Sequence, residues 1–210
     1  MNLLVVDNFD SFTYMLVDYL RQAGAACRVV RNNEPMAQVI REPVDGVVLS
    51  PGPGVPRQAG RLMAIIAHYH RRVPMLGVCL GHQALGEFFG ADLIPATRPM
   101  HGKVSAVRVL TSDGLLRNLP ATFEVTRYHS LLLTNLPADL IGTAATDSNE
   151  LMAMRHRTLP LWGVQFHPEA ALTQNGLQLL TNWVDLVKNR ANEHRAGECF
   201  TGWQVRATND

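Results

Sequence analysis

The chain has 210 residues, of which 47% are hydrophobic and 18% are charged, with a formal net charge of +1. This composition is that of an ordinary globular domain, and it excludes a disordered, collagen-like or coiled-coil chain. The balanced charge gives no argument for a nucleic-acid or membrane partner, and no apolar run reaches the roughly 18 residues of a membrane span. The start of the chain is unlike a secretory signal, and three scattered cysteines favour a reducing compartment. We therefore expect a cytoplasmic protein.

In chain order, apolar strands first alternate with amphipathic helices. The strands are predicted at residues 3–6, 27–30, 46–49 and 75–78. The helices are predicted at residues 12–23, with Asp10 as the capping residue, at 62–69 and at 82–89. Alternation of this kind predicts a mostly parallel sheet that is covered by helices on both faces.

After Gly90 the pattern changes to strands that are joined by turns. These strands are predicted at residues 104–110, 123–128, 140–145, 151–155 and 161–166, and a last helix is predicted from Leu177 to about Lys188. The sequence thus predicts a three-layer α/β fold, with a mostly parallel central sheet and an added antiparallel portion. We expect one domain over residues 1–188 and a polar tail over 189–210, whose composition allows disorder.

The segment Gly77-Val78-Cys79-Leu80-Gly81 lies between a predicted strand and a predicted helix. It is the cysteine form of the nucleophile elbow, in which the two glycines permit a sharp reversal of the chain. The N-terminus of the following helix favours a thiolate at Cys79, and the N–H of Leu80 lies where an oxyanion forms. The alternative is that Cys79 is a small buried apolar residue, as most free cysteines are.

A thiolate nucleophile needs a base, and His167 is the leading candidate among eight histidines. His167 ends an apolar strand, and Glu169 projects to the same side if the chain is extended and stiffened by the proline between them. This pattern predicts that Glu169 orients His167 toward the nucleophile. The residues alone leave His82 and His129 open as rival bases, and a surface histidine as the alternative role for His167.

The loop Ser50-Pro51-Gly52-Pro53-Gly54 follows a strand at the edge where ligands bind in open α/β sheets. Its glycines allow backbone N–H groups to approach a substrate, so the loop is a candidate part of an oxyanion hole. The alternative is a tight strand-to-helix turn. The loop is not a phosphate-binding loop, because no Gly-Lys-Ser/Thr follows it, and the sequence shows no metal-ligand spacing.

Three motifs together resemble the class I, or triad, glutamine amidotransferases. They are the loop at residues 50–54, GVCLGHQ at 77–83 and GVQFHPE at 163–169. Residues 7–14, 100–103 and 128–131 are further similar to the small subunits of anthranilate synthase and aminodeoxychorismate synthase. The resemblance extends to about residue 188, and it implies the flavodoxin-like core of that family.

The resemblance also implies roles for individual residues. Cys79 would attack the side-chain amide of L-glutamine, His167 would act as the base and Glu169 would orient it. The implied glutamine-binding residues are Gly52, Pro53, Gly54, Leu80, Gln83, Ser130 and Leu131.

The same resemblance implies a partner, a chorismate-binding synthase subunit that receives the ammonia. Asp10–Tyr14 and Met100–Lys103 are the expected contacts with that partner, Mg²⁺ is expected on the partner, and this chain is expected to hold no cofactor or metal. Anthranilate is the favoured product, with aminodeoxychorismate, or a subunit that serves both synthases, as the alternatives. A different cysteine hydrolase, such as a γ-glutamyl hydrolase, is a more distant alternative.

Overall fold

A computed structural model describes residues 1–111 and 114–201, with the side chains described as far as residue 192. The strands are β1 (Asn2–Asp7), β2 (Ala26–Arg31), β3 (Gly46–Leu49), β4 (Met75–Val78), β5 (Asp92–Pro95), β6 (Lys103–Val109), β7 (Thr122–Arg127), β8 (Leu131–Thr134), β9 (Leu140–Thr146), β10 (Leu151–His156) and β11 (Leu161–Val164). The helices are α1 (Thr13–Gln22), α2 (Met36–Val39), α3 (Leu62–Tyr69), α4 (Leu80–Phe88) and α5 (Gly176–Thr201), with a 3₁₀ turn at Pro56–Gln58.

Within the described residues, nine strands form one mixed sheet in the order β2-β1-β3-β4-β11-β10-β9-β6-β7. The strands from β2 to β11 in this order pair in parallel, and those from β11 to β7 pair antiparallel. Strands β5 and β8 form a separate antiparallel pair. The predicted fold, a parallel sheet with an added antiparallel portion, is confirmed.

The parallel half is buried on both faces, because neighbouring residues of each strand point in opposite directions. On β1, Leu3 and Val5 pack in one core cluster with residues of α1 and α5, including the fully buried Trp183. Leu4 and Val6 pack in the other cluster, with residues of α3 and α4. Two helical layers therefore hold the sheet rigid where its carboxyl-terminal edge carries the motifs described above.

Several local predictions differ from the structure. Asp10 does not cap α1, because its carboxylate accepts from the N–H of Phe12 at 2.8 Å, one residue before the helix begins. Strands β5 and β8 and helix α2 were not predicted. Helix α5 continues past the predicted end at Lys188 as far as Thr201, and the rest of the predicted tail, 202–210, lies outside the described residues. None of the helices in the described part of the chain is both long and apolar enough to cross a bilayer.

Candidate active site

The sharp turn between β4 and α4 carries Cys79. Its backbone angles, φ 51° and ψ −103°, are strained for a residue other than glycine, and its N–H donates to the carbonyl of Val164 at 2.9 Å. A Cβ at Gly77 would lie 2.4 Å from the main chain of Gly81, and a Cβ at Gly81 would lie 2.3 Å from the carbonyl oxygen of Leu49. Glycine is therefore required at both positions. The turn presents Cys79 at the N-terminus of α4, which is the position of the nucleophile in an elbow of this kind.

His167 and Glu169 form a buried hydrogen-bonded pair in the loop that follows β11. Nδ1 of His167 lies 2.7 Å from Oε1 of Glu169. The two side chains meet because the loop reverses, with the N–H of Ala170 donating to the His167 carbonyl at 3.3 Å. The prediction of an extended chain from His167 to Glu169 is therefore wrong. Pro168 lies in a turn, at a position where its fixed φ is favourable. The main chain of His167 is held from β7, since its N–H donates to the carbonyl of Thr126 at 3.1 Å.

The charge of His167 depends on its two neighbours. Burial lowers the pKa of His167, but hydrogen bonding and electrostatic attraction to the Cys79 and Glu169 side chains outweigh burial and raise this pKa to about 10. The imidazole therefore keeps its proton at neutral pH, beside a carboxylate on one side and the cysteine on the other. Because Nδ1 is engaged by Glu169, Nε2 is the ring nitrogen that is available for proton exchange with Cys79.

The rival bases His82 and His129 are both held as neutral rings. His82 lies on the side of α4 that packs against the main chain of Gly163, and burial lowers its pKa to about 3. Burial and the Arg127 guanidinium lower the pKa of His129 to about 4. Nε2 of His129 accepts from Nε of Arg127 at 3.0 Å, so its Nδ1 carries the proton and donates to the carbonyl of Leu131 at 3.0 Å. Among the hydrogen bonds of the described residues, neither ring contacts Cys79.

Two aromatic rings pack directly on His167. Phe12 and Tyr128 have centroids 5.2 Å and 5.0 Å from the imidazole and 5.0 Å from each other, and the exposed His101 meets the edge of Tyr128 at 5.8 Å. The sequence predicts the segments 10–14 and 100–103 as partner contacts, with the start of the first helix in the former, but not as neighbours of His167. The structure places Phe12 of the first segment against the imidazole. His101 of the second segment contacts Tyr128, which in turn contacts the imidazole.

The loop at residues 50–54 lies against the elbow. A Cβ at Gly52 would lie 2.5 Å from Cβ of Asn8 and 2.8 Å from Cδ2 of Leu80, so only glycine fits there. Asn8 holds the start of the loop through two hydrogen bonds. Its N–H donates to Oγ of Ser50 at 2.9 Å, and its side-chain amide donates to the Ser50 carbonyl at 2.8 Å. The sequence predicts no role for Asn8 within the segment 7–14, although a polar residue directly after the first strand is the signal expected at this edge.

The last two loop residues, Pro53 and Gly54, are exposed. Gly54 has φ +76° and open space around it, so its requirement for glycine is conformational. The N–H of Leu80, in the first turn of α4, belongs to the amides that have no partner within their helix. Leu80, next to the nucleophile in the chain, and Gly54, at the end of the loop that packs on the elbow, remain the candidate oxyanion donors.

Gln83 joins the elbow helix to β8. Its Nε2 donates to the carbonyl of Leu131 at 3.2 Å and to Oε1 of Gln165 at 3.1 Å, so both amide hydrogens are used and its carbonyl oxygen is left for a ligand. Ser130, beside Leu131, is exposed. The sequence predicts no role for Gln165 within the motif at 163–169, although it is a lone amide in an apolar segment, two residues before His167.

The described residues contain no group of three or more histidine, cysteine, aspartate or glutamate side chains that could hold a metal ion. The structure does bring together a cysteine at a strained elbow, a buried imidazole–carboxylate pair, candidate backbone donors at the elbow helix and the adjacent loop, and two interlinked amides. This arrangement is suited to nucleophilic attack on an acyl carbon and to release of the leaving group through proton transfer.

The chain belongs to the family Glutamine amidotransferase class-I, whose sequence profile matches residues 4–186. It is 47% identical over 190 residues to anthranilate synthase component 2 of Mycobacterium tuberculosis, covering 88% of this chain and 82% of that one. It is 46% identical over 190 residues to aminodeoxychorismate synthase component 2 of Serratia marcescens, covering 87% and 99%. It is also 48% identical over 206 residues to the aminodeoxychorismate synthase of Streptomyces griseus. That match covers 96% of this chain but only 28% of the longer Streptomyces protein.

Solved structures show the same fold. A GMP synthase subunit from Thermoplasma acidophilum has a TM-score of 0.84 at 27% identity and covers 93% of this chain and 98% of its own. A glutamine amidotransferase from Thermotoga maritima, at 17% identity, has a TM-score of 0.66 over 93% of this chain and 85% of its own. The second likeness concerns the fold alone.

Proposed function

We propose that this chain is the glutaminase component that supplies ammonia to a chorismate-aminating synthase, as an anthranilate synthase component 2. The observation that carries the proposal is the placement of Cys79, at a strained elbow, beside the buried pair of His167 and Glu169. Membership of the amidotransferase family over residues 4–186 supports L-glutamine as the substrate. The relatives that are named component 2 support a synthase partner.

The first half of the reaction forms a thioester. The Cys79 thiolate attacks the side-chain amide carbon of glutamine, and the oxyanion that results is held by the N–H groups of Gly54 and Leu80. The carbon–nitrogen bond then breaks while Nε2 of His167 gives its proton to the leaving nitrogen, so that ammonia departs. Glu169 keeps the imidazole oriented and protonated until this step, in agreement with the direction of the His167 pKa.

The second half releases glutamate. A water molecule gives a proton to His167 and attacks the thioester carbonyl, and the carbon–sulfur bond breaks to restore the thiolate of Cys79. Through both halves, the amino acid end of glutamine is held by the carbonyl oxygen of Gln83 and by the main chain of Ser130 and Leu131. Gln83 suits an ammonium group, because its amide hydrogens are already donated inside the protein.

The partner is proposed to dock over the segments 10–14 and 100–103. Tyr14 is 69% exposed and the neighbouring Phe9 is 50% exposed, so this surface offers two large rings to a partner. Phe12 and Tyr128 connect this surface to His167 by direct ring contact. A docked synthase would therefore act on the orientation of the imidazole, and would receive the ammonia without its release into bulk water.

An aminodeoxychorismate synthase component 2, or a subunit that serves both synthases, is the alternative. It is favoured by the 46% and 48% identities to the Serratia and Streptomyces proteins, which match the identity to the Mycobacterium one. The two products share the substrate and partner class, so this choice concerns the partner chain and leaves the chemistry at Cys79 unchanged.

The test is reconstitution with a chorismate-binding synthase partner. Cys79→Ala is expected to abolish glutamine-dependent amination and to leave ammonia-dependent amination intact, because chorismate chemistry belongs to the partner. Product analysis separates anthranilate from aminodeoxychorismate. The isolated wild-type chain is expected to hydrolyse glutamine slowly, and the rate should rise when the partner and then chorismate are added. Glutamine-dependent amination by Cys79→Ala would overturn the proposal.

A further inference from the structure

Gln165 is completely buried and lies against the nucleophile. Its side-chain Nε2 is 3.7 Å from Sγ of Cys79, and its Oε1 is 3.1 Å from Nε2 of Gln83. It follows β11 directly, and its N–H donates to the carbonyl of Met152 at 2.9 Å, so the side chain projects from a fixed main chain. A buried primary amide has strong hydrogen-bonding requirements, and here both of its ends are satisfied within the site.

The hydrogen-bond network decides which end of the Gln165 amide faces the sulfur. The carbonyl of Leu131 can only accept, so the Gln83 atom that contacts it must be nitrogen. The same nitrogen contacts Gln165, and the atom of Gln165 on that side must therefore be oxygen. The NH₂ group of Gln165 is left pointing at Cys79, where it is a donor.

We propose that Gln165 is a further catalytic residue, which stabilises the Cys79 thiolate by an N–H···S hydrogen bond and links that sulfur to the glutamine-binding side chain Gln83. A donor placed on an anion favours the anion, and the absence of competing solvent around a completely buried amide increases the effect. The triad supplies the base and its orienting group, whereas Gln165 acts on the nucleophile itself.

The link to Gln83 gives the second part of the inference, which rests on the proposed function. When the ammonium group of glutamine binds the carbonyl oxygen of Gln83, it polarises that amide and strengthens the hydrogen bond from its Nε2 to Gln165. Gln165 then becomes a better donor to Cys79, because hydrogen bonds in a chain reinforce one another. Occupancy of the glutamine site is in this way communicated to the sulfur atom.

The experiment measures the reactivity of Cys79 with iodoacetamide against pH, in the absence of glutamine, followed by mass spectrometry of the Cys79 peptide. Gln165→Met keeps the length of the side chain and removes the donor. The pH profile of Cys79 alkylation should therefore move to higher pH, and the alkylation rate at neutral pH should fall about tenfold, the loss typical of one hydrogen bond to a charged group. Gln83→Met removes the partner that orients and reinforces the Gln165 amide but leaves the N–H···S donor itself, so the profile should move in the same direction by clearly less than that of Gln165→Met.

Steady-state glutaminase kinetics complete the test. Gln165→Met should lower kcat about tenfold with a smaller change in KM, and Gln83→Met should raise KM for glutamine about tenfold through the loss of its carbonyl oxygen. Asn182→Leu is the matched control, because Asn182 is also completely buried and its amide donates to the carbonyls of Leu115 and Arg117, neither of which belongs to the site. This control should alter neither the profile nor kcat.

The outcomes separate this inference from the proposed function. A Gln165→Met profile that coincides with the wild type, or an equal displacement in Asn182→Leu or Gln83→Met, would overturn the role of Gln165 on the sulfur. Alkylation does not require glutamine, so a displaced profile in Gln165→Met would support the N–H···S bond even in a chain that failed to hydrolyse glutamine. That second result would count against the glutaminase assignment alone.

Discussion

His82 is expected to make this protein lose stability as the pH falls below neutrality. The ring is completely buried on α4 behind the elbow, against the main chain of Gly163. Burial lowers the pKa of His82 to about 3, and contact with the Gly163 main chain offsets only part of that effect. In the unfolded chain a histidine titrates near 6.5. The unfolded state therefore binds the proton first, and the stability contributed by the neutral ring is lost progressively as the pH falls from about 6.5 toward the folded value.

The size of this loss follows from the linkage between protonation and folding. Each pH unit between the two pKa values corresponds to about 1.4 kcal/mol, so His82 alone should remove about 2 kcal/mol from the free energy of unfolding between pH 6.5 and pH 5.0. Urea unfolding followed by tryptophan fluorescence at several pH values measures the total. The difference between the wild type and His82→Phe isolates His82, because the other buried histidines are common to both proteins. His82→Leu serves as a second replacement if phenylalanine does not fit beside Gly163.

The pH dependence is the part of this prediction that can be refuted. The difference in free energy of unfolding between the wild type and either His82 variant should shrink or reverse as the pH falls, by about 2 kcal/mol between pH 6.5 and pH 5.0. The difference between the wild type and Asn182→Leu should stay constant, because that variant removes a buried amide and no titratable group. A constant difference for both His82 variants would mean that the buried ring does not resist protonation, and the argument from burial would be wrong.

The remaining predictions concern the elbow and the base. Gly81→Ala should lower the free energy of unfolding by about 3 kcal/mol or more, because its Cβ would meet the Leu49 carbonyl oxygen, which is part of a central strand. Gly90→Ala is the control, since Gly90 has φ +99° and open space around it, and it should cost only about 1 kcal/mol of backbone strain. Thermal or urea unfolding measures both. Glu169→Gln should lower glutaminase kcat roughly 10²-fold with little change in KM, and His167→Asn should lower kcat more, roughly 10³-fold or beyond. An equal cost for the two glycine variants, or wild-type turnover in Glu169→Gln, would contradict these assignments.

Much of the fold could be predicted because the apolar pattern is strong in its parallel half. The bounds of β3, β4 and α3 agree with the prediction, since each is a run or stripe of buried residues with a clear end. The pattern fails where burial does not determine the structure. Strand β5 is a short, largely exposed segment that ends in Pro95, and it forms only by pairing with β8. Beyond Lys188 the sequence of α5 is polar, so it has no apolar stripe that a periodicity argument could detect.

The site could be predicted in part, because its motifs are local. Cys79 lies two residues from each of its glycines, and His167 lies two residues from Glu169, whereas Phe12 reaches His167 only through the tertiary fold. The contact between Gln165 and Cys79 joins residues 86 positions apart. It depends on the pairing of β4 with β11, and no feature of the sequence alone makes those two strands neighbours.

The register of that pairing explains why the chemistry converges at one point. Val78 on β4 lies opposite Val164 on β11, and the two strands are parallel, so the residues that follow them leave the sheet side by side at the same edge. Cys79 follows β4 into the rigid half of the sheet, whose two faces are covered by helices. The segment after β11 instead runs to the edge strand β7, where Thr126 holds the main chain of His167. The nucleophile is thus fixed by the parallel half and the base by the antiparallel half, and movement of one half against the other would act on the reaction through the distance between Cys79 and His167.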